Sequence, residues 1–331
     1  MILEKGFFYQ KLIITLKLAF RIIIRRLQKY IVASSIFISS LPNFSNKMND
    51  RYQNYLSTIS ELYNRIEALN FSFPKIYEEL IINYFKPIDI ICSIGKGFFP
   101  IIKRVSINKR IVNENIRIFE VEKLKYPPSN CVTKFGRANL KKQSVFYGAF
   151  NLNTAIKELK PETGDLITVS EWRLRNENMQ LIVCPFFIKQ PEDFTTNIRL
   201  LEIYYSFLKE LNRFPEDIST LVLEIHKFYA KVFSRKIDLY NNQGYLFSAL
   251  LADKIFHQYK QGIVDAILYP SIQDEYRTEN IAVKKDSFDQ KYTLFRTIEK
   301  KVIDHSIKTD KYRFEEKGES KIIEERRIQW T

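Results

Sequence analysis

Apolar positions recur at three- and four-residue spacing from Asp50 onward, with Tyr55, Ile59, Leu62, Ile66 and Leu69 on one helical face. A second helix is predicted from Pro74, suited to a first turn, through Leu80, Ile81 and Phe85 to the stop at Pro87. Residues 50–105 therefore read as a helical N-terminal region packed on the domain behind it. The period then shortens. Ile116–Val121 alternates, Val145–Ala149 is short and apolar, Leu166–Leu174 alternates, and Leu181–Phe187 is nearly continuous in apolar residues, so four strands are predicted. A brief helix falls between the second and third, from about Asn153 to Leu159. Helical spacing returns over Thr196–Leu211, with Ile198, Leu201, Tyr205, Leu208 and Leu211 on one face, and over Asp217–Phe233, with Ile218, Leu221, Ile225, Phe228 and Val232. Tyr245–Tyr259 is a third helix of this group, and residues of about 190–260 form a helical insertion. Strands at Ile263–Tyr269 and Asn280–Lys284 close a domain of residues 106–300, and the clustered charges of 301–331 predict a solvated tail. Strands and helices in separate runs give an α+β fold class.

Composition adds bounds. With 45% apolar and 27% charged residues, the 331-residue chain has ample material for a core. Its net charge of +14 is concentrated at the start, where residues 1–49 hold eight lysines and arginines against one acid, Glu4. A basic field attracts polyanions and phosphate-bearing small molecules alike. No zinc spacing or helix-turn-helix signature accompanies it, so no specific nucleic-acid site is expected. Cys92, Cys131 and Cys184 are odd in number and widely spaced, which reads as reduced thiols in a cytoplasmic protein. His226, His257 and His305 stand alone, so neither a metal centre nor a Ser-His-Asp triad is expected.

Residues 1–49 form a separate basic segment with three readings. Apolar runs broken by Lys11, Lys17, Arg21, Arg25, Arg26 and Lys29 fit a helix lying on an anionic membrane surface through residues 1–47. The stretch from Tyr30 to Ile38 after a basic start imitates a signal peptide without a clear cleavage site. Translation starting at Met48 would make the segment non-native. The charges recur too often for a spanning helix.

Two segments are unlike ordinary core or loop. One is Phe135-Gly136-Arg137-Ala138-Asn139, followed by Phe146-Tyr147-Gly148-Ala149 and then Thr154-Ala155-Ile156-Lys157-Glu158. The other is Asp265-Ala266-Ile267-Leu268-Tyr269-Pro270-Ser271, with Asn280-Ile281-Ala282-Val283 behind it. Together they resemble the RES family, named for an Arg, a Glu and a Ser, over residues of about 114–290. The family Arg falls on Arg137, the Tyr on Tyr147, the Glu on Glu158 and the Ser on Ser271. The resemblance implies an ADP-ribosyltransferase-like mixed sheet core, NAD as substrate, no metal, and activity as a toxin with a cognate antitoxin or immunity protein. This chain departs from the family pattern in three places. Leu140-Lys141-Lys142 stand where Pro and Gly are common, Glu120 stands near an early-strand Arg, and the span from Glu158 to Ser271 is long.

These residue types suit cleavage of an N-glycosidic bond to a cationic leaving group. Ribose gains oxocarbenium character as the bond breaks, so a nearby carboxylate stabilises the transition state selectively. Glu158 is the candidate, expected in the first turns of its helix where the dipole favours an ionised acid. Arg137 is expected to grip a pyrophosphate with its planar fork; a structural ion pair is the plain alternative. Tyr147 would stack on nicotinamide or ribose, or else serve as core with its hydroxyl satisfied. Ser271 would offer a hydroxyl to the ribose or amide, although serine after proline is common in turns; Asn280 is a further NAD contact. Three functions compete: NAD degradation by water or phosphate, transfer of ADP-ribose to a protein acceptor, and non-catalytic binding on a RES scaffold. Retention of Arg137, Tyr147, Glu158 and Ser271 together speaks against the last.

Overall fold

The computed structural model describes residues 92–187, 198–237, 242–306, 308–320, 322–324 and 326–331, together with Ser57 and Glu61. The basic segment 1–49 and, apart from Ser57 and Glu61, the helices expected over residues 50–87 lie outside the described residues.

The architecture is α+β. Strands β1 (Gly95–Gly97) and β2 (Ile101–Ile107) lead to a short helix α1 (Asn108–Val112), then β3 (Val145–Ala149), α2 (Leu152–Leu159), β4 (Leu166–Leu174) and β5 (Leu181–Pro185). Three helices come next, α3 (Ile198–Leu211), α4 (Glu216–Phe233) and α5 (Leu246–Asp253). The chain continues as β6 (Ala266–Pro270), β7 (Glu279–Lys284), α6 (Lys285–Lys291), β8 (Tyr292–Ser306) and β9 (Lys311–Ser320), ending in the small hairpin β10 (Ile322–Glu324) and β11 (Arg327–Gln329). Among the described residues nine strands make one mixed sheet in the order β1-β5-β6-β7-β3-β2-β4-β8-β9, and of these only β5 and β6 pair in parallel. A parallel pair cannot be joined by a tight hairpin and needs a long crossover. The helical insertion supplies it, since α3, α4 and α5 lie between β5 and β6 in the chain.

Register sorts the side chains by face. Tyr147 lies opposite Ala282, Ala149 opposite Asn280, and Asn280 opposite Tyr269, so all five share one face of the sheet. That front face carries two cores. Val105, Ile107, Ala149, Val169 and Ile298 receive Ala155 and Ile156 of α2, while Val145, Ile267, Tyr269 and Ala282 pack with residues of α4 and α5. The back face holds Phe146, Trp172, Ile281, Val283 and Phe288, with the Phe146 and Phe288 rings stacked at 4.0 Å.

Several expectations are corrected. Ile116–Val121 is not a sheet strand: Glu120 makes an isolated bridge to Arg327, and Val121–Leu124 is a single tight turn. The places beside β4 are already taken by β2 and β8. Strand β2 occupies residues assigned to the end of the N-terminal helical region. The supposed tail is folded: β8 and β9 extend the sheet, Ile328 is buried, and Trp330 Nε1 donates to Ile118 O at 3.0 Å. Charge clustering misled here because an edge strand carries charge on its open side. In α3 the buried face runs through Ile203, Phe207 and Leu211, whereas Tyr205 is 56% exposed. The helix expected to run continuously from Tyr245 to Tyr259 ends as α5 at Asp253 and passes into a wider turn at Lys254–Gln258.

Candidate functional site

The Gly136–Asn139 turn is tied to β3 by one hydroxyl. Tyr147 Oη accepts from Ala138 N at 2.8 Å and donates to Asn139 Oδ1 at 2.8 Å. Asn139 Nδ2 closes the turn by donating to Leu140 O at 2.9 Å. The backbone joins in, with Gly136 N donating to Asn139 O at 3.0 Å. A side chain at Gly136 would collide with this arrangement, because a Cβ there would lie 2.1 Å from Asn139 Oδ1 and 2.8 Å from Tyr147 Oη. Burial pushes the Tyr147 hydroxyl well above the ordinary tyrosine range, so it stays protonated as a donor. Arg104 of β2 donates to Tyr147 O at 3.0 Å, and burial lowers its guanidinium to about 10.

Arg137 reaches across to the crossover helices. Its guanidinium donates to Phe233 O at the end of α4 and to Arg235 O at 3.3 Å. The Phe233 carbonyl belongs to the negative pole of α4, which favours a cation, and Arg235 follows just beyond the helix end. The guanidinium also lies over two rings, 5.2 Å from the centroid of Tyr245 and 5.7 Å from that of Tyr269. Arg137 thus links the turn, the front face and the crossover.

Glu158 sits in the last turn of α2, not the first. The helix dipole there does not favour a carboxylate, contrary to the expectation for a first-turn position. Two donors fix its place instead. Ser271 Oγ and Asn280 Nδ2 each donate to Glu158 Oε1 at 2.7 Å. Ser271 and Asn280 are buried, whereas Glu158 is exposed, and its Oε2 has no hydrogen-bond partner among the described residues. One carboxylate oxygen is held and the other is open.

Ser271 follows β6 and Asn280 lies in β7, so the loop between these strands fixes their spacing. The loop closes by Ser271 N donating to Thr278 O and Tyr276 N donating to Ser271 O, each at 2.8 Å. Glu275 and Tyr276 take left-handed backbone conformations, with φ of 52° and 64°. Tyr269 joins the group from β6: burial raises its hydroxyl well above the ordinary range, with Tyr147 and Glu158 adding to the rise and Arg137 opposing it. Sequence reasoning gave Tyr269 no role within its motif and missed Tyr245. An apolar strand hides one aromatic among its neighbours, and Tyr245 is adjacent to Arg137 only in three dimensions.

Among the described residues no cluster of three or more His, Cys, Asp or Glu side chains is arranged to hold a metal ion. No helix among them is long and apolar enough to cross a membrane.

The mixed sheet, its helical crossover and the Arg137, Tyr147, Glu158, Ser271 group define an α+β domain with a polar site on the sheet's front face. The family model for the RES domain matches residues 117–297, and the chain belongs to that family. At this level it is an NAD-acting protein of a toxin family. No curated protein matches the chain.

Proposed function

We propose that this protein cleaves the bond between nicotinamide and ribose in NAD. The observation that carries the reading is the convergence of Ser271 and Asn280 on one oxygen of Glu158. The three residues come from a helix, a strand end and a neighbouring strand, and they leave the second oxygen available to a ligand.

Nicotinamide departs with the bonding electron pair and becomes neutral, while positive charge develops on the ribose. A fixed carboxylate beside that charge interacts more strongly in the transition state than in the ground state. The donors from Ser271 and Asn280 keep Glu158 from rotating away, so little reorganisation is left for the reaction itself. Water or phosphate then adds to the ribose carbon; with water, the products are ADP-ribose, nicotinamide and a proton. In this reading the remaining N–H groups of Arg137 meet the pyrophosphate, and the rings of Tyr147, Tyr245 and Tyr269 flank the nicotinamide end.

The same site serves transfer of ADP-ribose to a protein acceptor, because that reaction needs the same charge stabilisation and differs only in the nucleophile. In this reading the catalytic unit reaches beyond residues 106–300 at both ends, supported by the membership of β2 and β9 in the same sheet. A cognate antitoxin or immunity protein is the partner expected of a toxin of this class.

Incubating the purified full chain with NAD and following free nicotinamide tests the reading. Release slowed by on the order of 10²-fold in Glu158→Gln is expected. ADP-ribose recovered on macromolecules of a cell extract would select transfer over hydrolysis. Intact NAD after long incubation with folded protein, and no modified macromolecule, would sink both.

A further inference from the structure

Glu158 is carried by a helix of only eight residues, α2. A two-turn helix has little stability of its own, so its position depends on what it is docked against. Its apolar face packs on Val105, Ile107, Val169 and Ile298 through Ala155 and Ile156. These contacts hold the helix to the sheet, but they do not reach the β6–β7 loop from which Ser271 and Asn280 approach.

A polar cluster spans that gap. Asp274, in the middle of the loop, accepts from Thr278 Oγ1 at 2.9 Å through Oδ2, which also lies 3.5 Å from Thr154 Oγ1. Thr154 and Thr278 are both buried, and their hydroxyls meet at 2.8 Å. The other oxygen of Asp274 takes Lys157 Nζ at 3.2 Å. Thr154 and Lys157 belong to α2, Lys157 being the residue before Glu158, while Thr278 lies two positions before Asn280. Because the Thr278 hydroxyl gives its proton to Asp274, Thr154 donates to Thr278, so one carboxylate binds the helix that carries Glu158 directly through Lys157 and again by way of Thr278, which leads to Asn280.

We propose that Asp274 is a positioning residue for the reaction at Glu158, setting the distance between α2 and the two donors on its carboxylate. The inference rests on the proposed role of Glu158 in NAD cleavage. Lys157 extends the support, because its ammonium also meets Asp310 Oδ2 at 3.1 Å, beside the turn between β8 and β9. Asp274 touches no reacting atom in this account. Its removal lets α2 and the loop drift by fractions of an ångström, and small misplacements of a catalytic group are costly in rate.

The test compares Asp274→Ala and Asp274→Asn with the parent as full chains. Three quantities are measured: kcat and KM for NAD, thermal unfolding, and the Asn280 side-chain amide resonance in an isotope-labelled sample. Glu158→Gln marks where that resonance lies once the carboxylate is gone. For Asp274→Ala we expect kcat to fall by roughly tenfold or more with KM within about threefold, together with a shift of the Asn280 amide away from its parental position. Asp274→Asn keeps an acceptor for Thr278 but loses the ion pair to Lys157, and should recover part of both effects. Parental kcat with an unmoved amide resonance, even alongside a lower unfolding temperature, would overturn the proposal by leaving Asp274 only a stabilising role. If the parent releases no nicotinamide, the proposed function fails, and the amide resonance alone decides whether Asp274 positions Glu158. Should Asp274→Ala not fold, Asp274→Asn and Lys157→Met carry the same comparison, and an unmoved resonance in both would overturn the inference.

Discussion

Ser271 donates its hydroxyl proton to Glu158 across 2.7 Å, although the two residues are 113 positions apart. The bond exists because β6 delivers Ser271 to the front face of the sheet where the last turn of α2 presents the carboxylate. It converts an exposed glutamate, which would sample many rotamers in water, into a directed group.

Glu158→Gln separates this role from binding. The amide keeps a carbonyl oxygen for Ser271 and Asn280, so the fold and NAD affinity should be nearly unchanged. Turnover should fall by on the order of 10²-fold, about 2.7 kcal/mol, because the charge that opposes the developing oxocarbenium is gone. Nicotinamide release at the parental rate would remove Glu158 from the reaction.

Arg137→Ala has two expected effects. It removes the donors from the carbonyls of Phe233 and Arg235, which should cost about 1–3 kcal/mol of stability. It should also weaken NAD binding more than it slows turnover, since a pyrophosphate contact is made in ground and transition states alike. Calorimetric titration with NAD, run beside thermal unfolding, checks both. Parental affinity in a protein of lowered unfolding temperature would reduce Arg137 to a clamp on the end of α4.

Gly136→Ala is a small change with a local steric cost. The added Cβ would fall 2.1 Å from Asn139 Oδ1, so Asn139 must leave its bond with Tyr147 Oη. We expect a stability loss of about 1–3 kcal/mol together with weakened NAD binding, as the Arg137 turn shifts with it. Thermal unfolding and NAD titration of the variant check this, and a variant matching the parent in both would show that the turn adapts freely.

The sequence disclosed the parts of this site better than their arrangement. Val145–Ala149 and Leu166–Leu174 were legible because apolar strands have sharp polar ends, and both are observed at those bounds. Strand β2 was not, since Ile101–Ile107 holds Lys103 and Arg104 and comes after a stretch of helical spacing. Arg137 was legible as a functional type, but its bonds to α4 were not, because nothing local encodes a partner nearly a hundred residues away. The same limit applies to Asp274, an ordinary loop acid in sequence that gains meaning only against Thr154, Lys157 and Thr278. The helical insertion read as an addition to the family core; topology makes it the crossover that a parallel β5–β6 pair needs.

His226 gives a pH-dependent prediction. It lies buried in α4, stacked on the rings of Phe207 at 4.8 Å and Phe187 at 5.5 Å, with Phe186 at 6.1 Å. Phe187 N donates to its Nε2 at 3.3 Å, which requires that nitrogen to be unprotonated and puts the proton of the neutral ring on Nδ1. Burial lowers its pKa from 6.5 to about 4, and no charged neighbour among the described residues contributes. The folded state therefore favours the neutral ring. Its contribution is fully present above pH 6.5 and declines as pH falls from 6.5 toward about 4, reaching a loss of order 3 kcal/mol. His226→Phe should keep the stacking and remove this dependence. At pH 8 the variant should be less stable by about 1–3 kcal/mol, because the Phe187 N–H loses its acceptor. Urea unfolding of parent and variant at pH 8, 6 and 5 checks the difference; parallel loss of stability in both over this range would show that other groups govern acid sensitivity. Since α4 also presents the Phe233 carbonyl to Arg137, the same acid shift should loosen Arg137 and weaken NAD binding in the parent more than in His226→Phe.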